Sequence, residues 1–229
     1  MKQCGLAVMA IGMMAVAGPA MGDAAGVGMY TRPLPDGFLQ DVWSHFPGAG
    51  HVDAMPTELF TADASIHLTE LTNLSLTYLG ESAGYLNALG YFTFDDQLHI
   101  LDQAIVFSNF SDTVFSPGDT FDIGAFGPGT NVGFYIIPNN KYTPLYTVDA
   151  LNPGGNDYTA FYRADAYGFY GVLGWEDLQN KPLSGLDYND AIVGISLTPS
   201  PIPEPTTAAM LVLGGVSAWR FRQIGRAHV

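Results

Sequence analysis

Residues 85–107 read Y-L-N-A-L-G-Y-F-T-F-D-D-Q-L-H-I-L-D-Q-A-I-V-F, and their reading decides the fold class. Two apolar, aromatic-rich runs, Tyr85–Phe94 and Leu98–Phe107, flank Asp95-Asp96. Rings and β-branched side chains fit a pleated surface better than a helix. Adjacent aspartates favour a turn, because their carboxylates bond nearby backbone amides. The stretch therefore predicts an antiparallel hairpin. Working outward, the same pattern repeats. Strands are expected at Ile66–Leu71, Leu74–Leu79, Thr120–Phe126, Asn131–Ile137, Pro144–Val148, Tyr158–Arg163, Tyr167–Trp175 and Ala191–Leu197. Turn clusters such as Ser116-Pro117-Gly118-Asp119, Gly127-Pro128-Gly129 and Pro138-Asn139-Asn140 separate them. Closely spaced strands with little helix between them imply an all-β fold, an antiparallel β-sandwich or jelly-roll-like single domain.

One helix is expected ahead of the strands. Phe38, Leu39, Val42, Trp43 and Phe46 recur at helical spacing, and Pro47-Gly48 ends the run. Residues 23–52 then form a helical lead-in and residues 53–198 the sandwich domain. His45 and His51 read as surface histidines of a loop, since no third metal ligand is spaced near them. His67 and His99 read as structural or surface residues rather than catalytic bases.

The two ends carry addresses. Lys2, the apolar run Leu6–Ala17 and the small-x-small triplet Ala20-Met21-Gly22 form a secretory signal pattern over residues 1–22. The one cysteine, Cys4, lies inside it, so the mature chain is expected to lack disulfides and thiol chemistry. At the other end, residues 199–223 contain Pro203-Glu204-Pro205, then the apolar run Ala208–Ala218, then Arg220 and Arg222. This order resembles the PEP-CTERM sorting tail of bacterial exported proteins. The resemblance implies an exosortase-type sorting enzyme as partner, transient membrane association through the C-terminal segment, and delivery to the cell envelope or extracellular matrix. Residues 224–229, I-G-R-A-H-V, are expected to be a sequencing-adapter artefact.

Between the two ends, residues 23–203 hold 21 acidic side chains against four basic ones, a net charge of −17. Such a surface is repelled by nucleic acid, which is not an expected partner. The densest oxygen-ligand cluster is G-W-E-D-L-Q-N-K-P-L-S-G-L-D-Y-N-D, residues 174–190. Its acids could be solvated turn residues. Alternatively they could hold a hard cation, since calcium takes six to eight oxygens. In an extended stretch Asp187 and Asn189 point to one side, whereas the neighbours Glu176 and Asp177 point oppositely, so that only one of the latter would join. Asp190 could instead cap the turn through backbone amides.

Trp175-Glu176-Asp177 followed by Asp187-Tyr188-Asn189-Asp190 resembles the C-terminal signature of the family named domain of unknown function 4114. Glu81-Ser82-Ala83-Gly84-Tyr85 with Asn87, the Pro117-Gly118-Asp119 turn, Val132-Gly133-Phe134-Tyr135 and Leu151-Asn152-Pro153 also fit, so the resemblance runs from Leu74 to Leu197. It implies a β-sandwich, calcium ligation and an adhesive or binding role in a bacterial surface protein. It carries Glu81, Glu176, Asp177, Asp187, Asn189 and Asp190 over as calcium ligands. Gly185 stands where the family's first Asp would be, which removes one carboxylate.

Catalysis is not expected: there is no G-x-S-x-G elbow, and acids this numerous form pairs by chance. The expected function is an exported, non-enzymatic cell-surface or matrix protein, biofilm- or exopolysaccharide-associated, that contacts a polysaccharide or another surface protein. The alternative is a carbohydrate-binding module whose late-loop aromatics, Tyr142, Tyr146, Tyr158 and Tyr162, stack on sugar rings or else fill the core. A glycan-active hydrolase is a more distant alternative.

Overall fold

A computed structural model describes residues 22–23, 29–46, 64–178 and 187–200. The strands are β1 (Gly22–Asp23), β2 (Met29–Thr31), β3 (Ile66–His67), β4 (Thr72–Gly80), β5 (Asn87–Phe94), β6 (Ile100–Phe110), β7 (Asp119–Phe126), β8 (Asn131–Ile137), β9 (Leu145–Tyr146), β10 (Thr159–Tyr162), β11 (Gly171–Trp175) and β12 (Ala191–Pro199). Helix α1 spans Phe38–His45 and lies between β2 and β3 in the chain. Two six-stranded sheets result. One runs β1-β6-β5-β8-β3 with β9 also on β8; the other runs β10-β11-β12-β4-β7-β2. All pairings are antiparallel except the two-residue β1–β6 pair. The expected sandwich is what the chain forms.

The hairpin that decided the fold class is present as β5 and β6, and Asp95 closes its turn. The Asp95 amide donates to the His99 carbonyl, and Asp95 Oδ1 accepts from the amides of Gln97 and His99. Inside the sandwich, alternate residues of both sheets meet: Leu89, Tyr91 and Phe107 from the first sheet against Leu74, Leu76, Leu173 and Trp175 from the second. Rows of apolar side chains on each inner face bury one another, the arrangement the alternation dictates.

Both outer faces also carry apolar residues, and each is covered. Phe38 and Val42 of α1, with Phe46 just past its end, pack on Leu79, Ala160, Tyr162, Val172 and Ile192 of the second sheet. That explains why β11 is buried along its whole length. On the first sheet, Phe92, Tyr135 and Ile137 lie beneath Val148, Tyr146 and Leu151. A fully buried large apolar side chain contributes roughly 1.5–3 kcal/mol, so α1 is an integral third layer rather than an appendage.

Some expected strands are shorter. Ile66–Leu71 contracts to β3, two residues long. Tyr167–Trp175 contracts to β11, because Asp165–Tyr167 forms a 3₁₀ turn and Gly168 takes a left-handed φ of 75°. The leader apart from Gly22, His51, the Pro203-Glu204-Pro205 motif and residues 224–229 lie outside the described residues. Among the described residues no helix is long and apolar enough to cross a membrane.

Candidate metal centre

β11 and β12 are hydrogen-bonded neighbours, with Trp175 opposite Ala191. The residues that leave β11 and those that enter β12 must therefore lie side by side. The ladder continues one step past the strands, since the Asp190 amide donates to the Trp175 carbonyl at 3.0 Å. On the other flank the Glu176 amide donates to Tyr158 at 3.0 Å, and the Ser82 amide donates to the Asn189 carbonyl at 2.8 Å. Tyr188 takes a φ of 52°, which sparse left-handed geometry allows only under constraint. Gly174 makes room for that turn: a Cβ there would lie 2.2 Å from the Tyr188 carbonyl oxygen and 2.6 Å from the Phe46 ring.

This scaffold gathers Glu176, Asp187 and Asp190, each with a carboxylate oxygen within 4.8 Å of the others. Glu176 is fully buried, Asp190 nearly so, and Asp187 half-buried. Asp187 Oδ1 is shielded from solvent and accepts no hydrogen bond among the described residues. The Asp177 amide donates to Asp190 Oδ2 at 2.8 Å, and the Leu178 amide to Glu176 Oε1 at 3.3 Å. Burial pushes the Asp190 carboxyl up to about 8, the charges of Asp177 and Glu176 push the same way, and the Asp177 amide opposes them.

The described basic side chains are engaged elsewhere. Arg32 bonds Ser196 and the Gly168 carbonyl beneath the Phe169 ring, Arg163 pairs with Asp165, and Lys141 lies over Tyr142. Buried carboxylates in such a setting either hold a proton or hold a cation. The donor set is oxygen only, a kind that hard cations favour. The three carboxylates accordingly could hold a metal ion.

The sequence-derived ligand set separates into two groups. Glu176, Asp187 and Asp190 come together. Of the neighbours Glu176 and Asp177, one joins, as their opposed directions required. Asp177, also buried, accepts from Asn87 Nδ2 at 2.9 Å instead. Asp190 supplies both a converging oxygen and a turn cap. The expectation that Asp187 and Asn189 share a side assumed extended backbone. The left-handed Tyr188 between them removes that assumption, and Asp190 converges with Asp187. Glu81 is not part of the cluster. Its Oε1 accepts from the Asp112 amide at 3.4 Å, beside the Tyr78–Asp112 hydrogen bond. Burial raises the Glu81 carboxyl, and the charges of Asp112 and Asp177 add to this, against the lowering effect of the Asp112 amide.

Asn87, which the resemblance included without a role, is a supporting residue. It is fully buried at the start of β5. Its Nδ2 donates to Asp177 and its Oδ1 accepts from the Asn139 amide at 3.0 Å. A lone amide inside an otherwise apolar strand was the available signal.

The aromatic set needs correction. Tyr158 and Tyr162 are only 4% and 7% exposed, and Tyr162 stacks on His45 with centroids 4.2 Å apart. They fill the core, because α1 and the opposite sheet leave their rings no free face. Tyr146 is half-buried, edge-on to Phe92. Tyr142 is 46% exposed, with the Tyr85 ring 6.0 Å away and the exposed Leu86 next to Tyr85 in sequence.

Residues 126–198 match the family described as Domain of unknown function (DUF4114). The matched segment contains β8 to β11, all but the last residue of β12 and every residue of the acidic cluster, whereas Glu81 and Asn87 precede it. No curated protein and no solved structure matches the chain.

Proposed function

We propose that this chain is an exported, non-enzymatic cell-surface or extracellular-matrix protein. In this reading calcium locks its sandwich by binding Glu176, Asp187 and Asp190. The observation that carries the reading is the convergence of three carboxylates within 4.8 Å at a largely buried position, with one solvent-shielded oxygen left without a donor. Calcium is favoured over magnesium because an ion with a large, irregular oxygen shell tolerates a site that draws on strand ends and a loop. The leader and the Pro203-Glu204-Pro205 tail supply the export route, with an exosortase-type sorting enzyme as the processing partner. The test is thermal unfolding of the full chain in calcium and in EDTA. A higher Tm in calcium is expected, and identical curves would overturn the metal assignment.

A second reading is favoured by one observation. The half-buried Tyr85 and the exposed Leu86 and Tyr142 form an aromatic and apolar patch on loops tied to the acidic cluster, through Ser82 to Asn189 and through Asn139 to Asn87. Exposed tyrosine faces suit the apolar side of a sugar ring. In this reading the metal clasp orders a glycan-binding platform. A glycan array with calcium present tests it.

A further inference from the structure

Ile192, two residues after Asp190, lies between two glycines in its sheet: Gly174 of β11 pairs with it on one side and Gly80 of β4 on the other. Rings from the α1 segment cover both. A Cβ at Gly174 would lie 2.6 Å from the Phe46 ring, and one at Gly80, where φ is 142°, would lie 2.6 Å from the Trp43 ring. We propose that α1 is a latch coupled to the acidic cluster: an ion held by Glu176, Asp187 and Asp190 clamps the helix through Phe46 and Trp43, and loss of the ion releases it. The inference rests on the metal reading given above.

Three observations carry the proposal. First, Phe46 touches the turn that brings the carboxylates together. The space beside Gly174 is shared by the Phe46 ring and the Tyr188 carbonyl oxygen, and Phe46, Tyr188 and Ile192 belong to one buried apolar cluster. Packed interiors have little slack, so a shift of the Tyr188 backbone disturbs the seat of the ring. Second, Trp43 braces the same turn from the other flank. From Gly80 the chain passes through Glu81 to Ser82, whose amide donates to the Asn189 carbonyl at 2.8 Å. Third, the helix has little of its own to hold it. It is eight residues long, and Gly37 at its N-cap supplies no side-chain hydrogen bond. A helix this short is marginal in water without tertiary packing, and elements held by packing alone are the ones that open locally. The driving force comes from the cluster. Ionised carboxylates within 4.8 Å of one another repel, which pushes the exit of β11 away from the entry of β12. A cation between them reverses the sign, and the change is delivered to the backbone beneath Phe46. Release of α1 uncovers Leu79, Ala160, Val172 and Ile192, so cation supply sets whether the outer apolar face of the second sheet is exposed.

The test uses the full chain and two readouts, calcium binding by calorimetry and amide hydrogen exchange in calcium and in EDTA. Calcium should slow exchange of the α1 amides about ten-fold, within the usual range of coupling between sites. The amides of Leu98 and His99 in the Asp95 turn, at the opposite end of β5 from Asn87, should exchange at an unchanged rate. Coupling is reciprocal, so Phe46→Leu, which touches no ligand atom, should weaken calcium binding by a similar factor. Phe92→Leu, equally buried on the outer face of the other sheet, is the control and should bind calcium like the parent. The exchange comparison needs no variant and stands even if one fails to fold. Calcium binding with unchanged α1 exchange, equal slowing in the Asp95 turn, or an equal loss of affinity in Phe92→Leu would overturn the latch and leave the metal reading intact. Absence of calcium binding to the unaltered chain would overturn the metal reading and the latch with it.

Discussion

The backbone amide of Asp177 donates to the side chain of Asp190 across 2.8 Å, tying the exit of β11 to the entry of β12. The same Asp190 carboxylate faces Glu176 and Asp187. One group therefore both holds the turn and contributes charge to the cluster, and substitutions can separate these tasks.

Asp190→Asn keeps an oxygen to accept from Asp177 but removes the charge. In EDTA at pH 8 this variant should be at least as stable as the parent, because a repelling buried charge is gone. In calcium it should lose most of the Tm gain. A ligand at a hundred times its Kd stabilises by about 2.7 kcal/mol, which is the size of response at stake. A variant that responds to calcium like the parent would remove Asp190 from the ligand set.

The pH dependence has a definite sign. Burial raises the Asp190 carboxyl in the metal-free fold to about 8, above its unfolded value near 4. The native state then retains a proton that the unfolded chain releases between those values. Stability in EDTA should be greatest at the acid end of that window and fall as pH rises, by up to about 1.4 kcal/mol per unit. Under the proposed function calcium binds the ionised cluster and should reverse the slope. Melting curves between pH 4.5 and 8.5, with and without calcium, check this, and a rising metal-free curve would contradict it.

Gly174→Ala drives a methyl against the Tyr188 carbonyl oxygen and the Phe46 ring. Backbone cannot yield as a side chain can, so a loss of about 1–3 kcal/mol is expected. The calcium response should weaken as well, because Tyr188 lies between Asp187 and Asp190. Gly84→Ala, where a Cβ meets nothing within 4 Å, is the control and should be close to neutral. Chemical denaturation of both variants measures the difference.

Asn87→Ala removes the donor to Asp177 and the acceptor for Asn139 at a fully buried position. Two buried groups lose their partners, at a cost of about 2–3 kcal/mol. Calcium affinity should fall although Asn87 is not a ligand, whereas a purely local packing role would leave the affinity unchanged.

Tyr142→Ala should leave the Tm nearly unchanged, because the ring is exposed. Under the glycan reading it should abolish array binding, as should Tyr85→Ala. Retained binding in both variants would remove that platform.

The strands were legible because alternation and turn chemistry agree along most of the chain. β8 was read with its observed limits, and α1 to within one residue. What local pattern could not show is what lies over a strand. The sequence around Tyr162 does not record that α1 packs over it, and that around Tyr158 does not record that its ring enters the core between the sheets. The pairing of β2 with β7 was likewise invisible, since Met29–Thr31 acquires a partner only from tertiary structure. At the acidic cluster the residue types were readable and the convergence was not. The backbone between Asp187 and Asp190 turns through a left-handed residue, Tyr188, and a tyrosine gives no hint of that conformation.

β12 is the last strand in the chain yet lies between β11 and β4 in the middle of its sheet. Until residues up to Pro199 are available, β10 and β11 have nothing to join them to β4, β7 and β2. A chain emerging from its N-terminus therefore cannot finish its hydrophobic interior early and must remain open until the end has arrived. The acidic turn immediately before β12 closes in that same late step. Under the proposed function, assembly of the sheet and capture of an ion become one event, completed wherever the C-terminal strand first meets both the folded remainder and a supply of cations.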